Sequence, residues 1–201
     1  MNGNDGFATS VLGTLRGLVG LALGRVEAFR EFRNTPAAFS ASIAPLIAFP
    51  LVGAALLGLR GYWVYAASLM LSRLCGVLLQ PVIVEFAARR LGRRERWLTT
   101  STALNWSIWI IFVLIPAAMV VNDGLVSMGV GLPAALAMSA GLIGAYMLWL
   151  QAFILRTGLK TNWWKAIALL LVVNLGVAIL YAVPYLFHPE LLRLTVSPPS
   201  G

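Results

Sequence analysis

Five apolar runs constrain this chain more than any other feature. They extend roughly from Phe39 to Leu59, Tyr62 to Ala88, Leu98 to Val121, Pro133 to Leu155 and Ala166 to Phe187. A helix that crosses the hydrocarbon core of a bilayer needs about 20 mostly apolar residues, each rising 1.5 Å. Each run meets that length, and the second is long enough to tilt or to extend past the bilayer. Composition agrees: 60% of the residues are hydrophobic and 11% are charged, where a soluble domain has about half and about a quarter. Too little polar surface is available to cover a soluble globule, which excludes a soluble enzyme and a disordered tail. The expected fold is all-α: a polytopic membrane helix bundle with five transmembrane helices.

A sixth stretch, Phe7 to Phe32, has a different pattern. Phe7, Val11, Leu15, Leu18, Ala22, Val26 and Phe29 recur at spacings of three and four, interrupted by Arg16, Arg25, Arg30 and Arg33. That spacing predicts one amphipathic helix, and an arginine-bearing helix of this kind lies at the membrane interface more readily than it spans. Gly13, Gly17, Gly20 and Gly24 fall on one face of it. They make either a close-packing groove or a helix of low intrinsic propensity. The expected organisation is a cytoplasmic N-terminal amphipathic helix over residues 1–34, a five-span domain over 35–188 and a short extracytoplasmic tail over 189–201.

The excess of basic residues, 15 Lys+Arg against 7 Asp+Glu, sits between the apolar runs. Assigned to alternate sides, 12 of the basic residues fall with the N-terminus and 2, Arg60 and Arg193, on the opposite side. Cytoplasmic loops carry such an excess, so the N-terminus is expected inside and the C-terminus outside. The charge therefore reads as a topology determinant, and no nucleic-acid partner is expected. Tyr62, Trp63 and Tyr65, then Trp97, and then Trp163 and Trp164 mark span ends where interfacial aromatic belts form. Arg89, Arg90, Arg93, Arg94 and Arg96 crowd one cytoplasmic loop. They fix orientation and are also candidate contacts for anionic lipid headgroups.

Polar residues inside the spans are functional candidates by default. Arg73 lies near the middle of the second span, where it needs a polar contact, a route to the interface or a ligand. Glu85, the one acid in the spans, lies too far along the same helix to pair with it and is placed to meet Arg89 one turn on. Gln80, Asn105 and Asn174 lie at similar depth on three spans. They form either bundle glue or, with Arg73, an intramembrane polar site. Ala137, Gly141 and Ala145 repeat every four residues in the fourth span, a close helix-packing face. A single cysteine, Cys75, and a single histidine, His188, leave no disulfide and no His or Cys metal set. No catalytic grouping and no cofactor are expected.

An N-terminal segment, Thr35-Pro36 at the first span, five spans and an outside C-terminus resemble the bacterial branch of the Yip1-domain family. Gly144 to Leu159 is similar to that family's fourth span and following loop, and Trp97 to Pro116 to its third span. The eukaryotic Asp-Leu-Tyr-Gly-Pro motif is absent, so a GTPase-linked trafficking role is not carried over. The resemblance implies an integral inner-membrane protein, and the use of Arg, Ala and Gly with only two Lys suits a GC-rich bacterial genome. The functional expectation is a non-enzymatic scaffold or accessory subunit. It would bind the lipid bilayer and a membrane-protein partner or a second copy through its small-residue faces. The alternative is a small transporter or lipid-handling protein using the site around Arg73.

Overall fold

The computed structural model describes residues 3–187, with side chains described from Leu12 onward except those of Pro184 and Phe187. His188, Arg193 and the 189–201 tail lie outside the described residues. Seven α-helices follow in order: α1 Gly3–Ala22, α2 Pro36–Leu59, α3 Trp63–Arg90, α4 Trp97–Ser107, α5 Ile111–Ser127, α6 Leu132–Gly158 and α7 Trp163–Phe187. Five stretches are long and apolar enough to cross a membrane: α2, α3, the combined Arg94–Ser127 stretch holding α4 and α5, α6 and α7. The chain is a multi-pass integral membrane protein with an all-α fold.

Local sequence explains most boundaries. Thr35 caps α2 by accepting a hydrogen bond from the Ala38 N–H, and Pro36 occupies the first turn, where its missing N–H costs nothing. α1, α2, α3 and α5 each end at a residue with positive φ, respectively Gly24, Gly61, Gly92 and Gly129. That conformation lets the next backbone N–H groups close onto the last carbonyls of the helix. The third span is interrupted by a short 3-10 segment, Ile108–Ile110.

The bundle is not evenly packed. α3 lies between α2 and α7, while α4 packs on α2 and α6. α5 runs along α6 rather than against α2, α3 or α7. Much of each span therefore faces outward, as expected where lipid is as apolar as the helix surfaces and association relies on close van der Waals fit. The largest buried cluster sits toward one end, where Leu150, Ile154, Leu155 and Leu159 of α6 meet Val84, Ala103 and Leu104.

The N-terminal stretch departs from the single amphipathic helix that its periodicity predicts. α1 stops at Ala22, the chain reverses at Gly24, and a 3-10 helix spans Val26–Glu31. The anticipated stripe is split as a result. Leu15 and Val26 are more than half exposed, while Leu21, Ala28, Phe29 and Phe32 are buried. The reason is steric. A methyl group at Gly17 would lie 2.7 Å from the Phe32 ring, and one at Gly20 would lie 2.6 Å from the Ala28 Cβ. The glycine face of α1 is filled by the chain's own returning segment.

Candidate functional site

The loop end of the bundle gathers three segments that are far apart in sequence. The first is the N-terminal hairpin, held to α6 by Tyr146, whose hydroxyl donates to the Ala22 carbonyl at 2.8 Å. That carbonyl is one of the acceptors a helix end leaves open. Trp149, one turn along α6, stacks on Phe153 and lies where a methyl group at Gly24 would come within 3.3 Å of its ring. The second segment is the α3–α4 connection, tied to the hairpin by an Asn34 side-chain N–H donating to the Glu95 carbonyl at 2.7 Å. The third is the end of α6 and the turn that follows it; a methyl group at Gly158, the last residue of α6, would lie 2.7 Å from the Thr100 Cγ2 of α4.

The five arginines of the α3–α4 connection separate into distinct roles. Glu85 pairs with Arg89 one turn along and also lies 3.4 Å from Arg94. The Arg90 guanidinium rests 4.7 Å from the Phe86 ring centroid. Arg96 and Arg93 instead line two neighbouring crevices. Arg96 borders a crevice of about 490 Å³ together with Arg30, Arg156 and Lys160. Arg93 borders another of about 230 Å³ with Lys160 and Lys165.

Within the spans, Arg73, Gln80, Asn105 and Asn174 do not form one connected site. No hydrogen bond joins any two of them among the described residues. The Arg73 guanidinium lies 4.6 Å from the ring centroid of Tyr181 on α7. Asn105 donates to the Ser42 hydroxyl of α2 at 2.9 Å, both side chains being buried. Asn174 donates to the Leu170 carbonyl in its own helix at 2.9 Å. The polar layer is instead a hydroxyl-rich seam on α4, where Thr100, Ser101, Thr102, Asn105 and Ser107 are all buried. Ser107 bonds back to the Leu104 carbonyl and Thr100 to the Arg96 carbonyl. Among the described residues, the Ser101 and Thr102 hydroxyls have no hydrogen-bond partner. A second buried pair, Ser139 on Asn122, joins α6 to α5. The run Thr99 to Thr102 inside an apolar span was the sequence signal for this seam.

The two small-residue rows differ in the same plain way. Gly13, Gly17, Gly20 and Gly24 all face other atoms of the chain within 4 Å, whereas Gly141 faces none and Ala137 and Ala145 are exposed. Close helix contacts inside the bundle use other glycines. A methyl group at Gly76 of α3 would lie 2.9 Å from the Tyr181 ring and one at Gly176 of α7 would lie 2.8 Å from Leu79, a reciprocal fit that locks α3 to α7. Among the described residues, no three His, Cys, Asp or Glu side chains come together as a metal-binding group. No family model, no curated protein and no solved structure matches this chain.

Proposed function

We propose that this protein is a non-enzymatic scaffold or accessory subunit of a bacterial inner membrane, oriented with its N-terminus in the cytoplasm. One observation carries the reading. The outer half of α6 presents Ala137, Gly141 and Ala145 outward, and a methyl group at Gly141 would meet nothing within 4 Å. Within membranes, small residues at that spacing let a second helix approach closely. The occupant we assign to this face is one apolar transmembrane helix of a partner protein. α5 supports the assignment, because it meets α6 at the buried Ser139–Asn122 pair while Ala137, Gly141 and Ala145 stay exposed.

The orientation rests on the basic residues of the N-terminal hairpin, the α3–α4 connection and the α6–α7 turn, which share one end of the bundle. The order of five spans behind an N-terminal segment is what supports a likeness to the Yip1-domain family, and no activity is carried over from it. The test is native purification in mild detergent, beside a Gly141→Leu variant. Co-purification of a stoichiometric membrane protein that G141L loses supports the reading. A lone monomer without partner or lipid enrichment contradicts it, and self-association lost in G141L would replace the partner helix with a second copy.

A further inference from the structure

We propose that the larger loop-end crevice binds a phosphate-bearing anion. Arg30 comes from the N-terminal hairpin, Arg96 from the α3–α4 connection, and Arg156 and Lys160 from the end of α6. Three separate segments thus bring four cations to one crevice of about 490 Å³, with Glu27 the only acid lining it. None of the four cations forms an ion pair among the described residues. Like charges collected in a crevice with low-dielectric walls focus the field and concentrate an anion there. Guanidinium groups match phosphate oxygens two at a time, and Thr157 and Thr161 line the same wall. The volume falls within the usual range for small-ligand sites, about 300–1,000 Å³.

A second, independent observation comes from the backbone. α6 closes as the other helix ends do, with the Thr161 N–H returning to the Arg156 carbonyl at 2.9 Å. The position that demands positive φ is glycine after α1, α2, α3 and α5, but after α6 it is Lys160, at φ 46°. A side chain in this conformation is strained relative to glycine. Lysine is therefore held where glycine would be the more stable choice, and its side chain lines both basic crevices. Strain of this kind persists at ligand clamps because the side chain is needed there.

Two sources present the same phosphate chemistry: an anionic lipid headgroup and a free phosphate in solution. The apolar rings and chains at the crevice wall, Phe29 and Val26, suit a headgroup with its glycerol stem. The experiment uses the full chain in mixed micelles, titrated with phosphatidic acid, phosphatidylcholine or inorganic phosphate, and compares Lys160→Gly, Arg96→Gln and Arg90→Gln. Saturable binding of phosphatidic acid, or of inorganic phosphate, supports the site, and the arm that binds names the source. Each of K160G and R96Q should weaken binding about fivefold, and K160G should also raise the melting temperature of the unliganded protein. R90Q, whose guanidinium rests on Phe86 outside the crevice, should leave binding little changed. Absence of saturable binding in both phosphate arms overturns the proposal. So does an R90Q loss equal to that of R96Q, which would mean diffuse surface charge. Neither outcome touches the α6 partner face, which is tested separately.

Discussion

Arg73 of α3 sits with its guanidinium 4.6 Å from the centre of the Tyr181 ring of α7, one turn from the point where Gly76 admits the edge of that ring. The charge is met by the negative face of an aromatic ring rather than by a carboxylate. An arginine near mid-membrane costs at least about 2.5 kcal/mol on insertion scales, and a cation–π contact returns about 0.5–2 kcal/mol. The contact therefore offsets part of the cost. The pair also fixes the rotation of α3 against α7, since Leu79 enters Gly176 on the same interface.

The coupling between these two side chains is measurable. A double-mutant cycle of Arg73→Met and Tyr181→Leu, followed by unfolding in detergent, should give an interaction energy of about 0.5–2 kcal/mol. Tyr181→Leu alone should be destabilising, because it also empties the space beside Gly76. Additive effects would mean that the ring does not hold the guanidinium.

The Thr100–Gly158 contact between α4 and α6 leaves no room for a methyl group, whose carbon would lie 2.7 Å from the Thr100 Cγ2 and 3.0 Å from its Cβ. Both elements are held by the buried cluster around Leu155 and Leu159, so neither can retreat. Gly158→Ala should cost about 1–3 kcal/mol, the usual range for overpacking. Adding Thr100→Ala should recover most of the loss, read as a shift in melting temperature.

The five spans were legible because 20-residue apolar runs have few alternative fates. Their observed limits differ from the expected ones by a turn or less, except at the third span, which runs on to Ser127. The reversal at Gly24 was not legible in the same way. The apolar period continues through it from Ala22 to Val26, and only packing of Phe32 and Ala28 on Gly17 and Gly20 makes the turn the better solution. The partner of Arg73 was hidden for a related reason. An aromatic ring on another helix leaves no periodic mark, whereas Glu85 and Arg89 announce their pairing by spacing. The basic crevice depends on tertiary convergence of Arg30, Arg96, Arg156 and Lys160. Sequence alone showed the loop arginines as one group, announced the Glu85–Arg89 pair, and gave no sign that Arg94 also lies beside Glu85.

The hydrogen bond from Asn105 to Ser42 should contribute modestly. Interhelical bonds of this kind average about 0.6 kcal/mol in measured membrane cases, because the separated helices find other partners. Ser42→Ala should therefore lower stability by roughly that amount. A loss of several kcal/mol would mark Ser42 and Asn105 as part of a larger connected network on the α4 seam.

The two small-residue rows give opposite expectations for the same substitution. Gly20→Leu should destabilise the isolated chain, because the Ala28 Cβ occupies the space at 2.6 Å. Gly141→Leu should change the isolated chain's stability by no more than about 0.5 kcal/mol, as expected for an open surface site. Paired thermal melts of the purified variants check both.

The N-terminal hairpin, the α3–α4 connection and the α6–α7 turn share one end of the bundle, which the proposed orientation puts on the cytoplasmic side. Single cysteines at Gly92, Thr161 and Gly129, placed in a Cys75→Ala background and probed with a membrane-impermeant thiol reagent on intact and permeabilised cells, test it most directly. The account predicts labelling of the Gly129 position in intact cells, and labelling of the Gly92 and Thr161 positions only after permeabilisation. Labelling of all three from the same side would contradict it.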